Sequence, residues 1–165
     1  MSWRLAQINL AHMKGPLESE VMTGFRTQLD RINALADASP GFVWRLQGED
    51  GADATSIRAF DDPLLLVNMS VWESLEALHG YVYKSGHVAL LRGRREWFHP
   101  FQGPALALWW IETGHVPTLE EGKAKLELVT RLGPTPSAFS FRQPFPPPGR
   151  AGFSPPEVDA EFCRA

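Results

Sequence analysis

The sequence predicts an α+β fold: a ferredoxin-like unit of βαββαβ order, followed by an added C-terminal helix and an extended tail. Three observations lead there. Four short apolar or alternating runs have the length and composition of strands. Stretches between them carry apolar residues at three- and four-residue spacing. Glycine and proline punctuate the joints, as at Ser39-Pro40-Gly41 and Gly133-Pro134.

The first strand is Trp3–Ala11 (WRLAQINLA). Arg4, Ala6, Ile8 and Leu10 share one face, and Trp3, Leu5, Gln7 and Asn9 the other. A loop with Gly15-Pro16 precedes a helix expected over Ser19–Ala38, with Val21, Met22, Phe25, Leu29, Ile32 and Leu35 as its apolar stripe. Phe42–Gln47 reads as the second strand. Residues 48–62 form a long acidic loop with room for a short strand at Ser56–Phe60.

The run Leu64–Trp72 is apolar nearly throughout and reads as a buried strand. Asn68, Ser70 and Trp72 point one way; Val67, Met69 and Val71 point the other. One face is oily, and the other holds an amide, a hydroxyl and an indole, which suits a pocket wall. A buried amide needs a bonding partner, so Asn68 is informative in such a strand. Two helical runs follow, parted at Lys84-Ser85-Gly86, the second ending at Trp97-Phe98. Ser85 fits an N-cap, and His87, Leu90, Leu91, Arg94 and Phe98 fall along one face.

Pro100–Pro104 turns the chain into the last core strand, Ala105–Glu112. Thr118 and Glu121 have capping-box spacing and open a helix that runs to Leu132, closed by Gly133 and Pro134. Ser137–Arg142 is compatible with an edge strand and with a loop. Residues 1–142 form the folded domain, and residues 143–165 a proline-rich tail in which Phe145 and Phe153 are candidate anchors on a partner surface. The bare apolar set Val67, Met69 and Val71 is best covered by a second copy, which predicts a homodimer closed sheet to sheet.

Composition excludes several function classes. A net charge of −3 gives no electrostatic case for nucleic acid or an anionic membrane. The one cysteine, Cys163, rules out a disulfide framework or a cysteine-based zinc site. Without a leader or an apolar stretch long enough to span a bilayer, a cytoplasmic protein is the expectation. The 6 tryptophans and 10 phenylalanines exceed the needs of a core and point to a cavity for a small hydrophobic or aromatic ligand. No glycine-rich strand-to-helix turn marks a nucleotide, nicotinamide or flavin site. His12, His79, His99 and His115 fall in loops or near helix ends, where exposure is expected.

Three stretches carry a resemblance: Ser39-Pro-Gly-Phe-Val-Trp44, Ser70-Val-Trp-Glu-Ser74, and Tyr83-Lys-Ser-Gly-His87 leading to Arg94-Arg-Glu-Trp-Phe98. With the order of elements, they resemble a bacterial family of unknown function in the dimeric α/β-barrel superfamily, alongside the antibiotic biosynthesis monooxygenases. The resemblance covers about residues 3 to 142 and implies that fold, a homodimer, and a pocket between sheet and helices.

For function it implies three alternatives. Cofactor-independent monooxygenases of secondary metabolism oxidise phenolic polyketides with an asparagine, a tryptophan and a helical arginine, positions matched by Asn68, Trp72 and Arg92 or Arg94. Amide and indole N–H groups would hold an enolate or a peroxy adduct there without a metal. Haem-handling members place a helical histidine on the iron, which makes His87 the metal ligand if haem is bound and puts Asn9 and Trp72 in its pocket. Small cyclases, isomerases and binding proteins use a histidine as acid or base, or carry no activity. The expectation is a monooxygenase-like oxidoreductase that needs no cofactor, with His87, Trp72 and Asn68 as catalytic candidates. Asn9, Ser70, Tyr83, Arg94 and Trp97 are the candidate substrate-binding residues.

Overall fold

The computed structural model describes residues 2–48 and 54–154. Five strands make one antiparallel sheet: β1 (Trp3–Met13), β2 (Phe42–Arg45), β3 (Leu65–Trp72), β4 (Phe98–His99) and β5 (Leu106–Glu112). Five α-helices accompany them: α1 (Thr23–Arg26), α2 (Leu29–Asp37), α3 (Leu75–Lys84), α4 (His87–Trp97) and α5 (Leu119–Leu132). β1 is central. It pairs with β3 on one side and, along the other, with β5 and then β4; β2 extends the sheet beyond β3. The order β2-β3-β1-β5 is that of the predicted ferredoxin-like unit.

Register decides the chemistry of each face. Gln7 lies opposite Ser70 and Asn9 opposite Asn68, while β5 sets Leu108 beside Gln7 and Leu106 beside Asn9. This face therefore carries the polar residues of both central strands. The opposite face carries Ala6, Ile8, Leu10, Val67, Met69, Val71, Ala107, Trp109 and Ile111, which form one core with Leu126 and Val129 of α5.

That second face corrects an expectation. Val67, Met69 and Val71 are buried within the single chain, so the oily face does not call for a second copy. Helix α5 lies against it closely enough that a Cβ on Gly122 would sit 2.9 Å from Ile8 Cδ1 and 3.0 Å from Met69 Cε.

The local differences have physical causes. The single helix expected over Ser19–Ala38 is a 3-10 turn (Glu20–Met22) followed by α1 and α2. At the break, Thr27 Oγ1 and Gln28 Nε2 both donate to the Gly24 carbonyl, offering it partners outside the helical ladder. The second strand stops at Arg45 after an irregularity between Phe42 and Trp44. In place of a strand at Ser56–Phe60 there is a 3-10 turn, Ala54–Ser56. The two-residue β4 was not expected; it leaves α4 and pairs with the end of β1. Only half of the capping box forms: Thr118 Oγ1 accepts the Glu121 amide at 3.1 Å, while the Glu121 carboxylate bonds Trp109 and His115. Gly133 ends α5 at φ +71°, a conformation that favours glycine.

Past α5 the chain doubles back over the polar face. Phe139 bridges to Leu108, and Trp110 Nε1 donates to the Phe145 carbonyl at 2.9 Å. Phe145 and Phe153, expected on a partner surface, pack against this chain's own cluster of Leu5, Trp72, Leu108 and Phe139. The rest of the predicted tail, including Cys163, and the 49–53 part of the long loop lie outside the described residues.

Candidate functional site

Two apolar clusters flank the polar face of the sheet. One holds Leu5, Trp72, Leu75, Leu78, Leu108 and Phe139; the other holds Met13, Met22, Phe25 and Trp97. Between them lie Gln7, Asn9, Asn68 and Ser70. Helix α4 joins the two ends, with His87 packed beside Tyr81 at its start and Trp97 buried in the second cluster at its finish.

The four polar residues and Trp72 form one hydrogen-bonded run. Trp72 Nε1 donates to Ser70 Oγ at 2.8 Å, and Gln7 Nε2 donates to the same oxygen at 2.9 Å. Gln7 Nε2 also donates to Asn68 Oδ1 at 2.8 Å, and Gln7 Oε1 accepts from Asn9 Nδ2 at 2.9 Å. The Asn9 amide approaches Asn68 Oδ1 at 3.5 Å. Gln7 and Ser70 are buried, at 4% and 6% exposure, whereas Asn9 is half-buried and Asn68 exposed. The run thus leads from a sealed indole to an amide in contact with solvent. Asn68, expected to be buried, is its open end.

Trp72 is fully enclosed. Tyr81 stacks on it with centroids 5.0 Å apart, and Phe42 meets it edge-on at 5.5 Å. Tyr81 hydroxyl donates to the Ile32 carbonyl at 3.3 Å. Burial pushes this phenol above its usual range, with the Arg45 guanidinium opposing and the Asp37 carboxylate adding to the rise. Arg45 and Asp37 pair through two contacts, 2.7 and 3.3 Å.

His87 packs against Tyr81, 4.9 Å between centroids. Ser85 Oγ accepts the His87 amide at 3.2 Å, as expected of a cap, although the N-cap position itself is Gly86. Burial lowers the His87 pKa to about 4, the Val82 carbonyl pulling the other way, so the ring is neutral at pH 7. Its Nδ1 is buried and has no hydrogen-bond partner among the described residues.

Of the sequence candidates, Asn9, Asn68, Ser70 and Trp72 come together directly, and His87 joins them only through Tyr81. Tyr83 packs on His79 and Phe141 in the first cluster. Trp97 lies in the second, between glycines: a Cβ on Gly24 would meet Nε1 at 2.9 Å, and one on Gly93 would meet the ring at 2.4 Å. Arg94 is half-buried on α4 and belongs to no contact of the polar run. His79, expected near the surface, is 5% exposed within α3. Two contributors escaped the sequence reading as site residues: Gln7, signalled by its place between Leu5 and Asn9 on one strand face, and Tyr81, which had no signal.

The residues do not fit a haem on His87. An axial ligand must turn a ring nitrogen toward open space, yet His87 is half-buried with its Nδ1 sealed, and its ring packs on Tyr81 and is engaged by the Val82 carbonyl. Among the described residues no group of three or more His, Cys, Asp or Glu side chains is placed to hold a metal ion, and no helix is long and apolar enough to cross a membrane. A hollow of about 460 Å³ does lie on the opposite face, lined by Phe60, Glu120, Lys123, Leu126, Glu127 and Thr130. Its lysine already donates to the Ala59 carbonyl, sits over Phe60 and pairs with Glu120.

Two solved structures are similar in fold. One is SnoaB, a cofactor-independent oxygenase from Streptomyces nogalater, at 16% identity and a TM-score of 0.45, covering 68% of this chain and 95% of that one. The other is a single-residue mutant of the same oxygenase, at 15% identity with the same score and coverage. No curated protein matches the chain. Residues 4–153 match the model of a family described as a domain of unknown function, DUF3291, and this chain belongs to that family.

Proposed function

We propose that the polar run of β1 and β3 is the floor of a small-molecule site, and that the protein carries out a monooxygenase-like oxidation of an aromatic or polyketide-like substrate. One observation carries this reading: on a sheet face otherwise covered by apolar clusters, a hydrogen-bonded set of amide and hydroxyl groups, buried at Gln7 and Ser70, opens to solvent at Asn68 and Asn9. Flat apolar walls with a few oriented polar groups suit a planar, oxygen-bearing ligand.

In such a reaction an activated CH₂ beside a phenol or ketone loses a proton, and the resulting carbanion-enolate reduces dioxygen. The peroxide formed at that carbon then collapses to a new carbonyl with release of water, so CH₂ and O₂ become C=O and H₂O. The Asn68 amide is positioned to donate to the enolate oxygen as charge grows there. Trp72 acts one step back: its N–H is spent on Ser70, so it fixes that hydroxyl instead of touching the substrate. All of these groups belong to one chain.

The test is oxygen uptake with an anthrone in metal-free buffer. Wild type should consume oxygen, and Asn68→Ala should slow turnover by about a hundredfold, the usual loss for one oxyanion donor. Uptake no faster than buffer across anthrones and electron-rich phenols, or an unaffected variant, would remove the reading.

A further inference from the structure

We infer that Gln7 is a positioning residue that forces Asn9 and Asn68 to present opposite hydrogen-bonding groups, so that the site selects ligands with a donor and an acceptor on one edge. The inference goes beyond the reading above by naming the polar edge of the ligand, and rests on it only for the identity of the site.

A primary amide has a donor end and an acceptor end. Gln7 is buried and uses both. Its Nε2 donates to Asn68 Oδ1 at 2.8 Å, which turns the Asn68 NH₂ outward. Its Oε1 accepts from Asn9 Nδ2 at 2.9 Å, which turns the Asn9 carbonyl outward. Asn9 and Asn68 are register partners, so the outward donor and acceptor stand side by side.

Reversing the network does not change this outcome. If Gln7 is turned over, its Oε1 faces Asn68 and its Nε2 faces Asn9, and both asparagines must turn with it to stay bonded. Asn68 then presents the acceptor and Asn9 the donor. Ser70 permits either state, because its hydroxyl rotates: it accepts from Gln7 Nε2 in one and donates to Gln7 Oε1 in the other. The Trp72 N–H, which can only donate, holds the other side of Ser70 Oγ throughout. Two outward donors or two outward acceptors would set two oxygens or two NH₂ groups face to face at one of the Gln7 contacts, which is costly.

The complementary ligand therefore carries a carbonyl and an N–H or O–H side by side, as a lactam or a hydroxy-ketone does. A molecule whose donor has been methylated loses the bond to the outward carbonyl and binds less tightly.

Side-chain amide hydrogen exchange by NMR tests the device without a ligand, with the two NH₂ groups assigned from Asn9→Asp and Asn68→Asp. In wild type one of the two should exchange at least about tenfold more slowly than the other, as expected when only one is held by a buried partner. Gln7→Glu offers only acceptors when ionised and should slow both; Gln7→Met keeps the length without bonds and should leave both fast. Equal rates in wild type, or a difference that survives Gln7→Met, would overturn the role of Gln7. The ligand arm uses 2-quinolone and N-methyl-2-quinolone. Wild type should prefer the first by about tenfold, the worth of one hydrogen bond, and Gln7→Met should lose the preference. Equal binding of the two by wild type would overturn the stated selectivity. If exchange behaves as expected and neither probe binds, the orienting role stands and the small-molecule site falls.

Discussion

Tyr81 stacks on Trp72 at 5.0 Å with their planes 24° apart, and the indole is fully buried. The tryptophan that sequence alone marks as a pocket residue is therefore a support. Its face belongs to Tyr81 and its N–H to Ser70.

Replacing Trp72 with Phe should thus act on stability and on the orientation of Ser70. It removes a buried donor and leaves Ser70 Oγ with a bond unmade, a loss of about 1–3 kcal/mol. Urea unfolding followed by circular dichroism measures it. A turnover defect with unchanged stability would instead mean that the indole N–H meets the substrate.

His87 makes stability depend on pH. Its pKa is about 4 in the folded chain and near 6.5 when unfolded. Below 6.5 the unfolded chain takes up a proton that the folded chain does not. The contribution is therefore complete above about 6.5 and is lost as pH falls toward 4, an effect of about 3 kcal/mol. Stability curves of wild type and His87→Gln should converge over this window; parallel curves would contradict the burial of a neutral ring.

On the other face, Glu121 ties β5 to the start of α5. It accepts from Trp109 Nε1 at 2.9 Å and meets His115 Nε2 at 2.7 Å. Burial pushes its carboxyl up, but the His115 and Trp109 bonds outweigh this and hold it below the usual range. Glu121→Ala leaves the buried Trp109 N–H without an acceptor and should cost about 1–3 kcal/mol. A drop in the thermal midpoint, with a red-edge change in tryptophan fluorescence, would register it.

Trp97 is held between Gly24 and Gly93. Gly93→Ala sets a methyl 2.4 Å from its ring, and the overpacking should cost about 1–3 kcal/mol despite the better helix propensity of alanine. Differential scanning calorimetry would detect it, and an unshifted midpoint would mean that the indole has room to move.

How far the sequence carried depended on the range of the interaction. Alternation was enough to put Gln7 with Asn9 on one face of β1, and Asn68 with Ser70 and Trp72 on one face of β3, because a strand's period is set locally. That the two sets share one face of the sheet is fixed by the pairing register. The covering of Val67, Met69 and Val71 by α5 was not legible, since it depends on a helix some fifty residues away folding back over the sheet. Trp97 and Tyr83 shared a motif with His87 yet lie in separate clusters. Helical spacing places residues on a face, but only the loops at either end decide which neighbour that face meets. Tyr81 was passed over for the same reason: nothing in its surroundings along the chain foretells a ring waiting on β3.

The most direct test of the central claim is a ¹H–¹⁵N titration of the protein with an anthrone. The account predicts that the side-chain amides of Asn9 and Asn68 shift and saturate together with the Tyr81 backbone, while Lys123 and Thr130 beside the hollow on the α5 face stay still. Shifts confined to Phe60, Lys123 and Thr130, with both asparagines unmoved, would place the ligand on the wrong side of the sheet and contradict it.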